Sequence, residues 1–214
     1  MTIVQLESAL LYDANMYVII GSEKTALIDT GTGFQVDASI ISLKKVLDGR
    51  PLDYVFITHR HYDHVGGLGK IIKEFSPIVY AGEADAVPLR EGDSESTMGT
   101  KFGGKIEPMK VVGLKEGDKF SMGGHRLVAM ETPGHTIGSI CLYDEITGAL
   151  FTGDTVFVDG VGRTDLLTAS SEQLKNSLKK LRNIDCNGFY PGHGPALKKG
   201  GNEQIEKGLR AMGV

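Results

Sequence analysis

The sequence lacks most of the features that would place the protein outside a reducing cytoplasm. It has only two cysteines, Cys141 and Cys186, and they form no Cys-x-x-Cys pair. We expect both to be small apolar core residues. No apolar run approaches the roughly 20 residues that a membrane span needs, and the N-terminus lacks the basic and apolar regions of a signal peptide. The sequence therefore predicts a cytoplasmic protein with no membrane contact.

The chain also lacks the charge pattern of a nucleic-acid-binding protein. Its net charge is −4, its pI is near 5.9, and no run of basic residues is longer than two. We therefore expect no nucleic-acid partner and a small-molecule ligand instead. With 214 residues, 41% of them apolar, the chain suits a single domain over residues 1–214. The apolar N-terminal segment leaves a homodimer open.

Short apolar runs separated by turn residues predict strands in both halves of the chain. They cover residues 3–6, 16–20, 25–28, 54–58, 78–80, 126–130, 139–143, 149–152 and about 188–190. Apolar residues at helical spacing predict helices over 36–47 and 68–75, a third that Ser170 and Gln173 would cap, and a fourth from about Asn202. Strands followed by a helix, twice over, predict an α/β fold of four layers, αββα, with two sheets facing each other inside.

Residues 83–110 are the least regular part of the sequence. Gly, Ser, Thr, Asp and Glu dominate this segment, and no hydrophobic period is clear. Two interpretations stay open: a lid or substrate-shaping loop, and a plain mobile surface loop.

A dense group of metal-binding side chains follows the strand predicted at 54–58. Residues 59–64 read His-Arg-His-Tyr-Asp-His and contain three of the six histidines. On an extended segment His59, His61 and Asp63 point the same way, and His64 could turn into the same pocket at the start of a helix. Imidazole and carboxylate bind divalent metals, and crowding them together is costly unless something binds them. The cluster therefore predicts a metal site.

Three further polar residues follow later strands in a similar way. His135, Asp154 and His193 each come after an apolar run, and each is directly preceded by glycine, which permits a sharp turn. Loops at one edge of two facing sheets can bring such residues together. The sixth histidine, His125, fits no motif and is expected at the surface of a hairpin.

As a set, these motifs resemble the metallo-β-lactamase-fold hydrolases, in particular the compact glyoxalase II-like branch. The match runs from about residue 15 to 196. The resemblance implies that fold and two divalent metal ions, with Zn²⁺ as the leading candidate and iron or manganese as alternatives. It implies this ligand set: His59, His61 and His135 for the first ion, Asp63, His64 and His193 for the second, and Asp154 as a bridge. Seven ligands are too many for one tetrahedral ion and suit two ions that share a bridge.

The resemblance also implies roles for residues around the ligands. Asp29, in the segment Leu-Ile-Asp-Thr-Gly, would hold a ligand histidine by a hydrogen bond. Asp63 would orient a metal-bridging hydroxide and shuttle its proton during hydrolysis of a small-molecule thioester, ester or lactone. For Arg163 there are two interpretations: it binds the carboxylate of a substrate, or it forms an ion pair with Asp165 that only stiffens the loop.

Two other function classes stay open. The Gly-Arg-Thr-Asp sequence at 162–165 is also similar to persulfide dioxygenases, a related branch of oxidoreductases that use a single iron held by two His and one Asp. A metal-binding or interaction module without catalysis is the third. Metal content and oxygen uptake on glutathione persulfide discriminate between the hydrolase and the dioxygenase.

Overall fold

Two β-sheets form the centre of the molecule, as seen in a computed structural model that describes residues 2–7, 10 and 12–214. The first sheet follows chain order: β1 (Thr2–Leu6), β2 (Met16–Ile20), β3 (Thr25–Ile28), β4 (Tyr54–Ile57), β5 (Ile78–Gly82) and β6 (Val112–Leu114). β1 to β3 pair antiparallel, whereas β3 to β6 pair parallel. Parallel strands end at a common edge, and β4 therefore delivers the segment after it to that edge.

The second sheet is built from the second half of the chain. Its strands and the small hairpin beside it are β7 (Lys119–Ser121), β8 (Arg126–Glu131), β9 (Ile140–Asp144), β10 (Ala149–Gly153), β11 (Val156–Phe157), β12 (Gly160–Val161) and β13 (Phe189–Pro191). The sheet order is β13-β10-β9-β8-β7, and β11 pairs with β12. Because β9 reverses the chain between β8 and β10, and β13 is parallel to β10, the strands β8, β10 and β13 all end at the same edge.

Helices cover the outer faces of both sheets. They are α1 (Val36–Leu47), α2 (Tyr62–Val65), α3 (Leu68–Phe75), α4 (Glu83–Glu91), α5 (Ser171–Leu181) and α6 (Gly201–Ala211), with a 3₁₀ turn at Gly99–Phe102. The Ser170 side chain accepts a hydrogen bond from the Gln173 N–H, which confirms the predicted cap of α5. Within the described ranges, no helix is long and apolar enough to cross a membrane.

Alternation along the strands divides the apolar side chains into three cores. On β2, Val18 faces the core shared with α1, α3 and α4, whereas Tyr17 and Ile19 face the space between the sheets. On β10, Phe151 faces the same inner space and Leu150 faces the core shared with α5 and α6. Three cores separate four layers, which confirms the predicted αββα sandwich of the metallo-β-lactamase fold.

Part of the segment 83–110 is more regular than its sequence indicates. Residues 83–91 form α4, so for this part the expectation of an irregular loop is wrong. Pro88 lies inside the helix, and a proline there normally argues against a helix. Ala86 and Leu89 are fully buried in the core beside the first sheet, so tertiary packing outweighs the local signal.

Two predictions concerned residues outside the predicted metal site. Cys141 and Cys186 are free, buried thiols, as expected. His125 is not at the surface: it is buried, and its Nδ1 lies 2.5 Å from Asp144 Oδ2. The pairing depends on two turns that meet only in the folded chain, the hairpin before β8 and the turn after β9.

Candidate metal centre

The seven predicted ligands lie on loops at one edge of the two sheets. Four of them follow β4, and the other three follow β8, β10 and β13. A main-chain hydrogen bond from the Ile140 N–H to the Thr58 carbonyl, 2.9 Å long, joins the sheets at this edge. The structure brings all seven side chains into three groups whose ligand atoms lie within 4.8 Å of one another: His59, His61 and His135; His59, His64 and Asp154; Asp63, His64 and His193.

The first group is a trio of imidazoles. The ring centroids of His59, His61 and His135 are 4.7 to 4.8 Å apart, and His61 Nδ1 lies 2.9 Å from His135 Nε2. His135 Nδ1 lies 2.9 Å from the Arg163 carbonyl oxygen. A carbonyl oxygen only accepts, so Nδ1 carries the proton and Nε2 keeps its lone pair toward the trio.

The group of Asp63, His64 and His193, hereafter the second trio, combines two imidazoles with a carboxylate. His193 Nε2 lies 3.1 Å from Asp63 Oδ2, and His64 Nε2 lies 3.9 Å from the same oxygen. His64 Nδ1 faces Asp29 Oδ2 at 2.7 Å. With its Nδ1–H donated to Asp29, His64 directs Nε2 toward the group.

Asp154 lies between the two trios. Its Oδ1 is 3.3 Å from His64 Nε2, while its Oδ2 is 3.5 Å from His135 Nε2 and 3.7 Å from His193 Nε2. One carboxylate therefore faces ligands of both groups, which is the position that a bridging ligand requires.

Several polar atoms of the site are buried without a hydrogen-bond partner among the described residues. They are His59 Nε2, His64 Nε2 and Asp154 Oδ1. A buried polar atom without a partner costs about 1 to 3 kcal/mol, and three converging ones need a common explanation. Coordination of divalent cations supplies it, since imidazole nitrogen and carboxylate oxygen are donors that such cations accept. The residues present thus fit a pair of divalent cations.

The protonation states of these groups also suit cation binding. Burial and the neighbouring imidazoles lower the pKa of His59 well below its usual value and that of His61 to about 3. Burial alone would raise the pKa of Asp154, but the imidazoles of His64 and His193 hold it below its usual value. At neutral pH His59 and His61 are therefore neutral and Asp154 is ionised, the forms that coordinate a metal. Burial would lower the pKa of His64, but the carboxylates of Asp29, Asp154 and Asp63 raise it well above its usual value, so a cation bound at Nε2 would take the place of a proton.

Asp29 binds His64 of the second trio on the side away from its Nε2. It adopts a left-handed conformation with φ of 58°, uncommon for a residue with a side chain. Its Oδ1 accepts the Thr58 N–H at 2.8 Å, and its Oδ2 accepts the Thr58 hydroxyl at 2.8 Å beside His64. The buried carboxylate thereby links the end of β4 to His64, one of the histidines that the resemblance implies as ligands.

Gly192 allows β13 to approach the centre closely. A Cβ at this position would lie 2.3 Å from Asp154 Oδ1 and 2.8 Å from His64 Cε1, both shorter than real Cβ contacts. Only a residue without a side chain therefore fits between the Asp154 carboxylate and His64.

Arg163 does not reach the seven side chains through its guanidinium. Its Nε and Nη2 lie 2.9 and 2.8 Å from the Asp165 carboxylate, and both side chains are about two thirds exposed. The geometry is that of the second interpretation, an ion pair within the loop. Its main chain contributes to the site instead, because its carbonyl oxygen accepts from His135.

Two buried residues beside the site were missed from the sequence. Arg60 lies between His59 and His61, and its side chain is only 7% exposed, whereas Asp85 in α4 is fully buried. Their charges are 3.6 Å apart. Because side chains alternate along the motif, Arg60 points away from His59 and His61. A buried guanidinium needs a carboxylate partner, so a partner could be expected. Nothing local to position 85 indicates that this carboxylate is Asp85.

Comparison with known proteins assigns the family. The model of the metallo-beta-lactamase superfamily matches residues 10–193. The chain belongs to this superfamily. Membership confirms the predicted relationship and, with the fold, makes the protein a metal-binding hydrolase of the metallo-beta-lactamase superfamily.

Relatives within the superfamily extend over different shares of the chain. A probable metallo-hydrolase from Methanocaldococcus jannaschii is 37% identical over 191 residues, which cover 86% of this chain and 88% of the relative. A hydroxyacylglutathione hydrolase from Bartonella henselae is 34% identical over 143 residues, which cover 66% of this chain and 49% of the relative. The chain thus spans about half the length of that enzyme.

Solved superfamily structures share the whole fold. TTHA1623 in a di-iron-bound form has a TM-score of 0.76 and 27% identity, with 99% of this chain and 97% of that chain covered. ETHE1 from Myxococcus xanthus has a TM-score of 0.71 and 25% identity, with 100% and 90% covered.

Proposed function

We propose that the protein hydrolyses a thioester, ester or lactone bond in a small molecule and uses two divalent cations, with Zn²⁺ as the leading candidate. The observation that carries the proposal is the position of Asp154. Its two oxygens face ligands of two separate trios, each of which holds three donors of its own. A single ion would leave one trio idle and its buried donors unpaired.

When bound, two divalent cations lower the pKa of water to near 7 and polarise a carbonyl oxygen. The chain's own contribution is to hold the donors and to handle the proton. His64 and His135 are held by Asp29 and the Arg163 carbonyl, so neither ring turns during turnover.

Asp63 is the group that we assign to proton transfer. Burial raises its pKa, but the neighbouring His64 and the hydrogen bond from His193 hold it below its usual value, so the carboxylate is ionised at neutral pH. With side chains 18% and 29% exposed, Asp63 and His193 are more open to solvent than the bridging Asp154 at 11%. Substrate and water therefore reach the site from this side, where Asp63 can accept a proton from the attacking water and return it to the leaving thiolate or alkoxide.

The similarity to a hydroxyacylglutathione hydrolase supports a thioester as the first substrate to test. The ion pair between Arg163 and Asp165 bears on the choice, because an arginine already paired attracts a substrate carboxylate less strongly. A neutral or singly charged thioester or lactone therefore suits this site better than a substrate that requires a free cation at position 163.

The full-length likeness to ETHE1 is the observation in favour of a second candidate, an oxidoreductase of the persulfide dioxygenase kind with a single iron. That mechanism would use two histidines and one aspartate. It gives no role to Asp63, His64 and His193, which here meet as a complete trio.

The two candidates are separated by metal analysis of the purified protein together with two assays, hydrolysis of a thioester and lactone panel and oxygen uptake on glutathione persulfide. We expect two ions per chain and hydrolysis without oxygen uptake. Asp63→Asn should lower kcat by about 100-fold or more, the range of general acid–base catalysis, whereas Asp165→Asn on the exposed loop should not. One iron per chain with oxygen consumption would refute the hydrolase.

A further inference from the structure

A second buried carboxylate connects the two loops that carry the first trio. Asp85 lies in the first turn of α4, directly after β5, and is fully buried. Its Oδ2 accepts the Arg60 N–H at 2.9 Å, and its Oδ1 accepts the Gly138 N–H at 3.1 Å. The first donor belongs to the loop of the histidine motif and the second to the loop after β8.

Thr136 strengthens the connection on the side of the loop after β8. Its hydroxyl donates to Asp85 Oδ2 at 2.6 Å, and its N–H donates to the Ser139 hydroxyl at 3.0 Å. In the sequence, Thr136 is next to His135, and Arg60 is next to both His59 and His61. Asp85 therefore binds the residues next to all three imidazoles without touching the imidazoles themselves.

The charge of Asp85 is balanced locally. The Arg60 guanidinium lies with its Nε 3.6 Å from Asp85 Oδ1, and its Nη2 donates to the Thr168 hydroxyl. A buried carboxylate with two N–H donors, one hydroxyl and one cation is held in a single orientation, because turning it would break these hydrogen bonds where no water can replace them.

We propose that Asp85 is the positioning residue of the first cation: it fixes the distance between the loop of His59 and His61 and the loop of His135. Asp29 holds His64 of the second trio directly, and through Thr58 it also lies close to His59 of the first. This role rests on the two-cation part of the proposed function. It is distinct from catalysis, since Asp85 touches neither the ligand atoms nor the open side of the site.

The proposal predicts a selective loss of affinity. Asp85→Asn keeps the size of the side chain, but replaces one carboxylate oxygen by an NH₂ group, which is a donor. One of the N–H groups of Arg60 and Gly138 then loses its acceptor. Loss of an outer partner of a metal ligand typically lowers metal affinity by about 10- to 100-fold. We expect that loss for the first cation and a change of less than about threefold for the second, within the scatter of such effects.

Each cation can be isolated by removing one ligand of the other. A His193→Ala background leaves the first trio intact, and a His135→Ala background leaves the second. Zn²⁺ binding to the metal-free proteins, measured in competition with a chromophoric chelator, gives one affinity per background. Adding Asp85→Asn should weaken binding in the first background only, whereas adding Asp29→Asn should weaken binding in the second.

Asp144 provides a matched control for general destabilisation. It too is fully buried and accepts two N–H groups, from Arg126 and Ile146, one hydroxyl, from Thr147, and a contact from His125. It pairs with the first residue of β10, at the opposite end of that strand from the site. Asp144→Asn should lower the melting temperature and leave both Zn²⁺ affinities unchanged.

Thr136 allows the test to proceed if Asp85→Asn does not fold. Thr136→Val removes one hydrogen bond to Asp85 and should weaken the first cation alone, whereas Thr136→Ser keeps the hydroxyl and should restore its affinity. Equal losses in both backgrounds, or none in the first, would overturn the positioning role while leaving two bound ions and hydrolysis intact. A wild-type chain that binds only one ion would refute the two-cation function, and this role with it.

Discussion

The close approach of Gly192 to the centre gives the sharpest single test of the site geometry. In Gly192→Ala the new methyl group would lie 2.3 Å from Asp154 Oδ1, 2.8 Å from His64 Cε1 and 2.9 Å from the Gly153 carbonyl carbon. Real Cβ contacts stay above 3.0 Å, so the carboxylate has to retreat by about 0.7 Å or β13 has to move outward. Either change separates Asp154 from at least one of the two trios whose ligand atoms it faces.

The size of the effect follows from that displacement. Inserting a methyl group into a packed site costs about 1 to 3 kcal/mol of folding free energy. Misplacing a reacting group by about 1 Å costs about 100-fold in rate, or about 2.7 kcal/mol in the activation barrier. We therefore expect kcat/KM for the best thioester or lactone to fall by about 100-fold, together with loss of at least one bound ion.

Gly160→Ala is the control, because Gly160 lies in the neighbouring hairpin and a Cβ there meets only Phe157 at 3.9 Å. It should keep kcat/KM and metal content. Metal analysis, thermal unfolding and kcat/KM measured on both variants complete the comparison. If Gly192→Ala retained two ions and its kcat/KM within a factor of a few, the three short contacts would be wrong.

Two further predictions concern charge. Asp165→Ala removes the ion pair of Arg163, so KM for a carboxylate-bearing thioester should fall by about two- to fivefold, the range of an exposed ion pair. KM for a neutral ester should stay constant. Equal changes in both KM values would rule out contact between Arg163 and the substrate carboxylate. In the metal-free protein, burial and then His135 lower the pKa of His61 to about 3. Unfolding then takes up a proton at His61 between about pH 6.5 and 3, so its contribution to stability falls as pH drops, by about 1.4 kcal/mol per pH unit. His61→Asn should remove that slope in urea titrations, and an unchanged slope would contradict it.

The convergence of the seven side chains could be predicted because its signals are local. Each predicted ligand lies in a segment that follows an apolar run. The strands before these segments end at one edge, because they are parallel to each other within each sheet. The glycines before His135, Asp154 and His193 mark the turns. The order of the elements, strands followed by a helix and then the same again, similarly predicts four layers. Strand β2 agrees with it, because Val18 and Tyr17 are apolar on opposite faces and each face is covered.

The residues that sequence reasoning missed depend on contacts between distant segments. Asp85 lies 25 positions from Arg60 and 51 from Thr136, and its acidic side chain is one of many in the segment 83–110. His125 has no neighbour in sequence that suggests burial, and Asp144 reaches it only after two turns meet. In α4, Pro88 argues locally against the helix, whereas the burial of Leu89 stabilises it.

Each trio draws ligands from both halves of the sandwich: the stretch after β4 supplies part of it, and a loop of the other sheet supplies the rest. Loaded cations would act as cross-links between the halves, in addition to the apolar packing inside. Resistance to unfolding then varies with the free metal concentration of the surroundings, by RT ln(1 + [L]/Kd) for each ion. A chelator would therefore weaken the contact between the two sheets before it affected either sheet alone. In a cell with little free metal, the protein would be less stable as well as inactive.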